Sequence, residues 1–599
     1  MPPPRTMRFP LLALALAACS GAMAVESDDD ARFHRLADEF VATHFAWRPL
    51  AGVALGWHQY DGQFVVPDAA ALAEEKQRLQ RFETAFGEMS GNGLSPDARR
   101  DWQLLRSSIA GERWALHGQS AYSRNPMTYA GGLEVSVYLK RSFKPLPERV
   151  ADITAILRQA PSLLEAARRN LETVLPKPFV ETAIEVAGGT ADFLEKDVAT
   201  AAATVTDADV RSAFDSAKAT AVTALRAYAD WLKKEKLPIA DGSFALGREH
   251  FREMLAADLI DLAPEQILEL GMRELHAEQE RFTAAAAIID PKLTLREAAA
   301  IIQREHPTAE GLIPDTRKNL EAIRQFVVKR RLVTIPSEVR ARVEETLPPF
   351  RATSFASMDT PGPFETTATE AYYYVTPVEP HWTPQQAAEW LGAFNYYAID
   401  VTGIHEAYPG HYVQFLALNA SAASAIAKAF GNYAFIEGWA HYCEQMVLDE
   451  GYGQPADPAT ASREDVVRGA KMRLAQSSDA LLRLCRLCCS IRLHTQGMSV
   501  DEAARFFAEN CYYGEKPARS EAVRGTFDPG YLYYTLGKLM LLKLRRDWQA
   551  QEGGAFTLQR FHDECLRHGM PPIRLLREIM LKDPALWPAV LPLDSGRRD

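Results

Sequence analysis

Two histidines and a glutamate crowd into GIHEAYPGHYVQF, residues 403 to 415. Imidazole and carboxylate both bind zinc, and the arrangement H-E-x-x-H sets two histidines four apart, facing one ion from one side of a helix. Here His405 and His411 stand six apart, with Pro409 and Gly410 between them. At 3.6 residues per turn, six positions swing the second imidazole roughly 120° from the first. A straight helix therefore cannot chelate with both. Pro409 has no amide hydrogen to return to the carbonyl of His405, and its ring collides with that carbonyl. Gly410 admits backbone angles that other residues resist. Together they can absorb two extra residues as a bulge or kink and return His411 to the side of His405.

A catalytic zinc site takes three protein ligands and keeps one position open, and two histidines with a glutamate form one such set. FIEGWAHYCEQM supplies Glu437, 26 residues after His411. Glu406, next to His405 but unable to share its direction, is then free as general base, taking a proton from water whose pKa zinc lowers to roughly 7. Spacing alone leaves the alternative open. The segment is equally readable as a helix that contains histidines, with Glu437 in an ion pair at a helix end.

These residues must be held by helices. From about 31 to 330, stretches such as DAAALAEEKQRLQRFETAFGEM, ERVADITAILRQAPSLLEAARRNLETVL and DVRSAFDSAKATAVTALRAYADWLKKEKL place apolar residues three and four apart with charges opposite, which predicts packed amphipathic helices. Between about 332 and 400 the chain turns rich in Pro, Thr and aromatic residues. FRATSFASM and EAYYYVTP have the content of short strands, predicting a small antiparallel β-sheet. Helices resume through TPQQAAEWLGAFNYYAIDVTGIHE, FIEGWAHYCEQMVL, the cysteine-bearing LLRLCRLCCSIRL, SVDEAARFFAENC and YLYYTLGKLMLLKLRRDW. The expected fold is mainly α: one domain over 25–599, with a helical lobe over about 31–330 and a second lobe over about 331–599 carrying the zinc motifs.

A net charge of −11 over 599 residues argues against nucleic acid as a partner, because that binding needs clustered Lys and Arg to displace counterions. The first residues, MPPPRTMRFPLLALALAACSGAMAVES, have a basic start, a short apolar run and small residues beyond, the layout of a signal peptide over 1–24. LAAC at 16–19 reads as a lipobox that would leave a lipidated Cys19 as the membrane anchor; cleavage after AMA at 24 is the alternative. Either places the mature chain outside the cytoplasm, in the periplasm. Export permits disulfides, but Cys485, Cys488 and Cys489 share a helix with Leu and Ile and read as small buried hydrophobes.

HEAYPGHYVQ followed by EGWAHYCEQM resembles the paired motifs H-E-x-x-P-G-H and E-G-W-A-x-Y-x-E of the bacterial domain-of-unknown-function family 885. RPLAGVALGWHQYDG, RLHTQGMSVDEAARFF and YYTLGK extend the likeness over nearly the whole mature chain. That family is regarded as similar to helical gluzincin metallopeptidases, with a two-lobed helical body around a deep cleft. The resemblance implies His405, His411 and Glu437 as zinc ligands and Glu406 as base. It leaves the substrate open. DPGYLYYTLG is one residue shorter than the family's P-G-x-x-x-x-Y-x-I-G, and Tyr534 matches the family tyrosine if the gap precedes it.

A phenol there can stabilise the negative charge that builds on a carbonyl oxygen during amide hydrolysis; Tyr531, Tyr533 and Tyr534 cannot all face one cleft. His441 reads as a cleft residue or a neighbour of the ligands. Arg524 and Arg545 are candidates for a substrate carboxylate, with structural roles as the alternative, and His494 for a substrate or supporting contact. Residues 371–376 are a candidate sheet edge for an extended substrate, or else a structural hairpin. The reading is an exported, lipid-anchored zinc peptidase of short peptides. The alternatives are a zinc hydrolase of a non-peptide amide or ester, and a non-catalytic peptide-binding lipoprotein, against which the intact Glu406 argues.

Overall fold

The computed structural model describes residues 27–593 apart from 348–350, 352, 353, 456 and 458. The expected signal peptide and Cys19 lie outside the described residues. Helices form where the periodicity predicts them. DAAALAEEKQRLQRFETAFGEM folds as Ala69–Gly87, opened by the Asp68 carboxylate accepting the Ala71 amide, and turns Leu79, Phe82 and Phe86 inward. The middle stretch breaks into Leu146–Leu157 and Ala160–Asn170, and the third runs Ala208–Trp231.

Three cores result. Phe33, Phe40, Phe82 and Phe86 centre an N-terminal aromatic cluster, each burial contributing roughly 2 kcal/mol. A second core joins helices between Met127 and Leu232. The largest runs from Phe251 to Leu591 and surrounds the histidine segment.

The elements that build the site are, in chain order, α1 (Pro96–His117), α2 (Gly247–Ala257), α3 (Pro264–Ile289), strands β1 (Arg342–Glu345), β2 (Ala356–Asp359) and β3 (Tyr372–Val375), then α4 (Tyr396–Glu406), α5 (His411–Ala420), α6 (Tyr433–Asp449), α7 (Arg463–Thr495) and α8 (Tyr533–Glu552). The long α7 packs along α3, and α6 along α8. Among the described residues, no helix is long and apolar enough to cross a membrane. All six cysteines from Cys443 onward are buried and unbridged.

The sheet is mixed, not antiparallel as expected. Its order is β1-β3-β2, with β1 parallel to β3 and β2 antiparallel to it. The unforeseen strand is β1, RVEE, in which only Val343 is buried; three charged residues in four hide its strand character. Residues 371–376 are therefore not an edge. Their strand, β3, sits in the middle with backbone partners on both sides, and the edge next to the histidines is β2.

Candidate metal centre

The helix breaks where the sequence demands it. Asn395 caps α4 by accepting the Ala398 amide, and α4 stops at Glu406. The chain passes through a cis Tyr408–Pro409 peptide and α5 begins at His411. Gly410 donates its amide to the Ile404 carbonyl at 3.0 Å. A Cβ at Gly410 would lie 1.7 Å from the His405 carbonyl oxygen, so only glycine fits this fold-back. The Trp439 indole N–H holds the loop from α6 by donating to the Pro409 carbonyl at 2.9 Å.

The two imidazoles end with ring centroids 4.8 Å apart at 89°. Glu437 Oε2 lies 3.4 Å from His405 Nε2 and 3.5 Å from His411 Nε2. Donor atoms bound at about 2.0–2.1 Å around a tetrahedral ion stand about 3.4 Å apart, so both distances suit a shared metal. One donor atom from each of the three residues falls within 4.8 Å of the others, the single such group found among the described residues.

Electrostatics agree with that set. Burial pushes the Glu437 carboxyl upward, but hydrogen bonding to His405 and His411 outweighs it and holds the group well below the usual carboxylate range. Burial opposes a charged His405, yet its bonds to Glu437 and Glu444 raise it to about 10. These carboxylates create a place for positive charge, which a bound cation would supply in exchange for that proton.

Behind these three side chains stands Glu444. Its Oε1 accepts from His405 Nδ1 at 2.7 Å and from Arg483 Nη2 at 3.1 Å, and its Oε2 accepts from His441 Nδ1 at 2.9 Å. A carboxylate on the far nitrogen fixes a ligand histidine's tautomer and ring orientation. His441 is thus a neighbour of the set. Burial drives it down to about 3, so it stays neutral. Glu444 follows Glu437 by seven residues, two helical turns along the same face of α6, and ends the E-G-W-A-x-Y-x-E motif; that spacing and that place in the motif were the available signal.

Glu406 leaves the ligand direction, as its place beside His405 requires. Its Oε2 accepts the Met358 amide of β2 at 3.1 Å, on the strand edge away from β3. The strand is fastened from the N-terminal half by buried Arg141, which bonds Asp359 and donates to the Ala368 and Glu370 carbonyls. Neither Met358 nor Arg141 was legible in the sequence: Met358 acts through a backbone amide, which carries no side-chain signature, and Arg141 meets partners far along the chain only once the fold has formed.

Of the three tyrosines, Tyr534 joins the centre. Its ring lies 6.5 Å from that of His405, and the Arg483 and Arg486 guanidiniums lie 5.6 and 5.4 Å from its centroid. Burial and the nearby Glu437 charge raise its phenol, keeping it a donor. Tyr531 and Tyr533 are buried, and the Tyr533 hydroxyl sits between the Met254 carbonyl, at 3.3 Å, and Asp258. Two glycines allow this approach. A Cβ on Gly438 would meet Gly537 backbone at 2.5 Å, and one on Gly537 would meet the Ala434 carbonyl at 1.8 Å. So α6 and α8 touch backbone to backbone, one residue from Glu437 and three from Tyr534.

The other candidates have partners of their own. Arg545 donates to the Tyr442 hydroxyl at 3.2 Å, and that hydroxyl bonds buried His562. Arg524 is paired with Asp528 one turn on. His494 is structural: Nδ1 accepts the Leu246 amide, Nε2 donates to the Gly525 carbonyl at 2.8 Å, and burial lowers it to about 4.

Comparison with solved structures shows the same fold elsewhere. A protein described as a lipoprotein of unknown function from Shewanella oneidensis is 22% identical with a TM-score of 0.75, over 92% of this chain and all of that one. A protein described as a lipoprotein from Colwellia psychrerythraea is 16% identical with a TM-score of 0.73, over 92% of this chain and 98% of its own. No curated protein matches significantly. The model of a family described as bacterial proteins of unknown function matches residues 49–580, which include every residue of the centre, and the chain belongs to that family, DUF885.

Proposed function

We propose that this chain is a zinc-dependent peptidase acting on short peptides, with His405, His411 and Glu437 as ligands. The observation that carries the reading is the spacing of the three donor atoms beside an independent carboxylate, Glu406. Zinc held there supplies Lewis acidity, which acidifies water and polarises a carbonyl. The chain's own residues do the rest. Glu406, oriented by the Met358 amide, accepts the proton from water and passes it toward the leaving amine. The Tyr534 phenol donates to the oxygen on which negative charge develops. Glu444 holds His405 with Nε2 aimed at the ligand position.

The peptide class is supported by β2, an edge strand beside Glu406, since main-chain bonding to an edge accepts peptides of any side chain. The wider reading includes a gluzincin-like cleft between two lobes and export with a lipid on Cys19. In support of export, both similar structures come from proteins described as lipoproteins. A mixed peptide library incubated with wild type and Glu406→Gln tests the activity. Cleavage by wild type and its loss in the variant are expected; equal cleavage by both removes Glu406 from the mechanism, and cleavage of esters alone replaces the substrate class.

A further inference from the structure

An open cavity of about 430 Å³ is lined by α1, the end of α2 and the start of α6. Trp114, Phe430, Tyr433 and Tyr533 wall it. Tyr433 links it to the metal centre, lining the cavity with its ring 5.8 Å from that of Tyr534. Three carboxylates face inward: Glu112, Asp528 and Asp258. Two already have cations, Glu112 bonding Arg48 and Asp528 bonding Arg524 at 2.9 and 3.0 Å.

Asp258 differs. Its Oδ1 accepts from Asn432 Nδ2 at 2.6 Å, and no Lys, Arg or His pairs with it among the described residues. It occupies the C-terminal cap of α2, where unpaired helix carbonyls already make the field negative. Burial lifts its carboxyl to about 6, even though hydrogen bonds from Tyr533 and Asn432 oppose the rise. An anion so placed, unpaired and open to a cavity, is complementary to a cation that the protein does not itself provide. Aromatic faces around it favour the same charge and would pack the apolar stem of a long side chain. Asn432 also caps α6 by accepting the Phe435 amide, so one residue ties this carboxylate to the helix that carries Glu437.

We propose that this cavity binds a cationic group of the substrate peptide, an ammonium or guanidinium, with Asp258 as its anionic partner. The proposal rests on the peptidase reading and deepens it. The cation has two sources, a basic side chain or the peptide's amino terminus.

Peptides matched except for lysine, norleucine or glutamate flanking the cleaved bond, each with a free or acetylated terminus, are assayed for kcat/KM with wild type and Asp258→Asn. Asparagine keeps the acceptor for Asn432. With wild type, lysine exceeds norleucine by at least roughly tenfold, and in Asp258→Asn that ratio falls toward one. If the amino terminus is the source, acetylation produces the tenfold loss instead. Cleavage indifferent to lysine and to acetylation, or a ratio unchanged in Asp258→Asn, overturns the pocket and leaves the peptidase reading intact. Calorimetric binding of the same peptides to Glu406→Gln, with and without Asp258→Asn, decides the case in which nothing is cleaved. A cation preference abolished by Asp258→Asn then keeps the pocket while the peptidase reading fails; no preference overturns the pocket too.

Discussion

Glu444 Oε1 lies 2.7 Å from His405 Nδ1, and the same carboxylate reaches His441 at 2.9 Å and Arg483 at 3.1 Å. One buried anion thus orients a candidate ligand from behind while two other donors hold the anion. Glu444→Gln keeps the shape and removes the charge. Loss of such a supporting carboxylate costs roughly 10- to 100-fold in metal affinity, so competition against a chromophoric chelator should show zinc binding weakened by that factor. An unchanged affinity would reduce Glu444 to a packing role.

Gly410 and Gly537 leave no room for a methyl group, at 1.7 and 1.8 Å from backbone oxygens. Backbone atoms cannot yield as a flexible side chain does, so alanine at either position should cost about 3 kcal/mol or more, the upper range for overpacking. Denaturant unfolding measures this. Gly410→Ala should also lower zinc affinity in whatever fraction folds, because the displaced oxygen belongs to His405.

Trp439 offers a gentler test of the same loop. Trp439→Phe preserves a ring but strands the Pro409 carbonyl, which accepts the indole N–H in a buried setting. The expected loss is about 1–3 kcal/mol plus a small packing term, read by denaturant midpoint.

How much of this was legible in the sequence differs from residue to residue. Pro409 and Gly410 announced the break between α4 and α5, because their backbone chemistry is local. The helices were legible for the same reason, apolar spacing being a property of neighbours. Glu444 ends the E-G-W-A-x-Y-x-E motif, but its role was not legible, since a glutamate seven residues from another reads equally well as a solvated charge. The strand β1 was hidden by its charges, and the middle position of β3 depends on pairings across 30 residues that composition does not encode. Arg141 and Asp258 acquire their surroundings only when distant elements meet.

Arg141 connects the N-terminal half to the strand whose Met358 amide orients Glu406. Arg141→Ala should leave zinc content unchanged and lower kcat by roughly tenfold, the scale of a modest misplacement of a catalytic group. Metal analysis beside steady-state kinetics separates this from general unfolding, which would reduce both.

Asp400, on α4, has its carboxyl raised to about 7 by burial, although the Tyr452 hydroxyl bonds it at 3.2 Å. An acid whose folded pKa exceeds its unfolded value, here 3.8, favours folding most below that unfolded value, and its contribution falls as pH rises to about 7. Asp400→Asn keeps the acceptor for Tyr452 and cannot ionise. Its stability relative to wild type should therefore increase between pH 4 and 8, by at most about 4 kcal/mol. Thermal melts across that range check the sign.

The central claim is that His405, His411 and Glu437 share one zinc ion. Elemental mass spectrometry of the purified folded chain, with His411→Ala measured in parallel, addresses it most directly. The expected result is one zinc per wild-type chain and almost none in the variant. A wild-type chain without zinc after incubation with the metal, or a variant that retains it in full, would contradict the account.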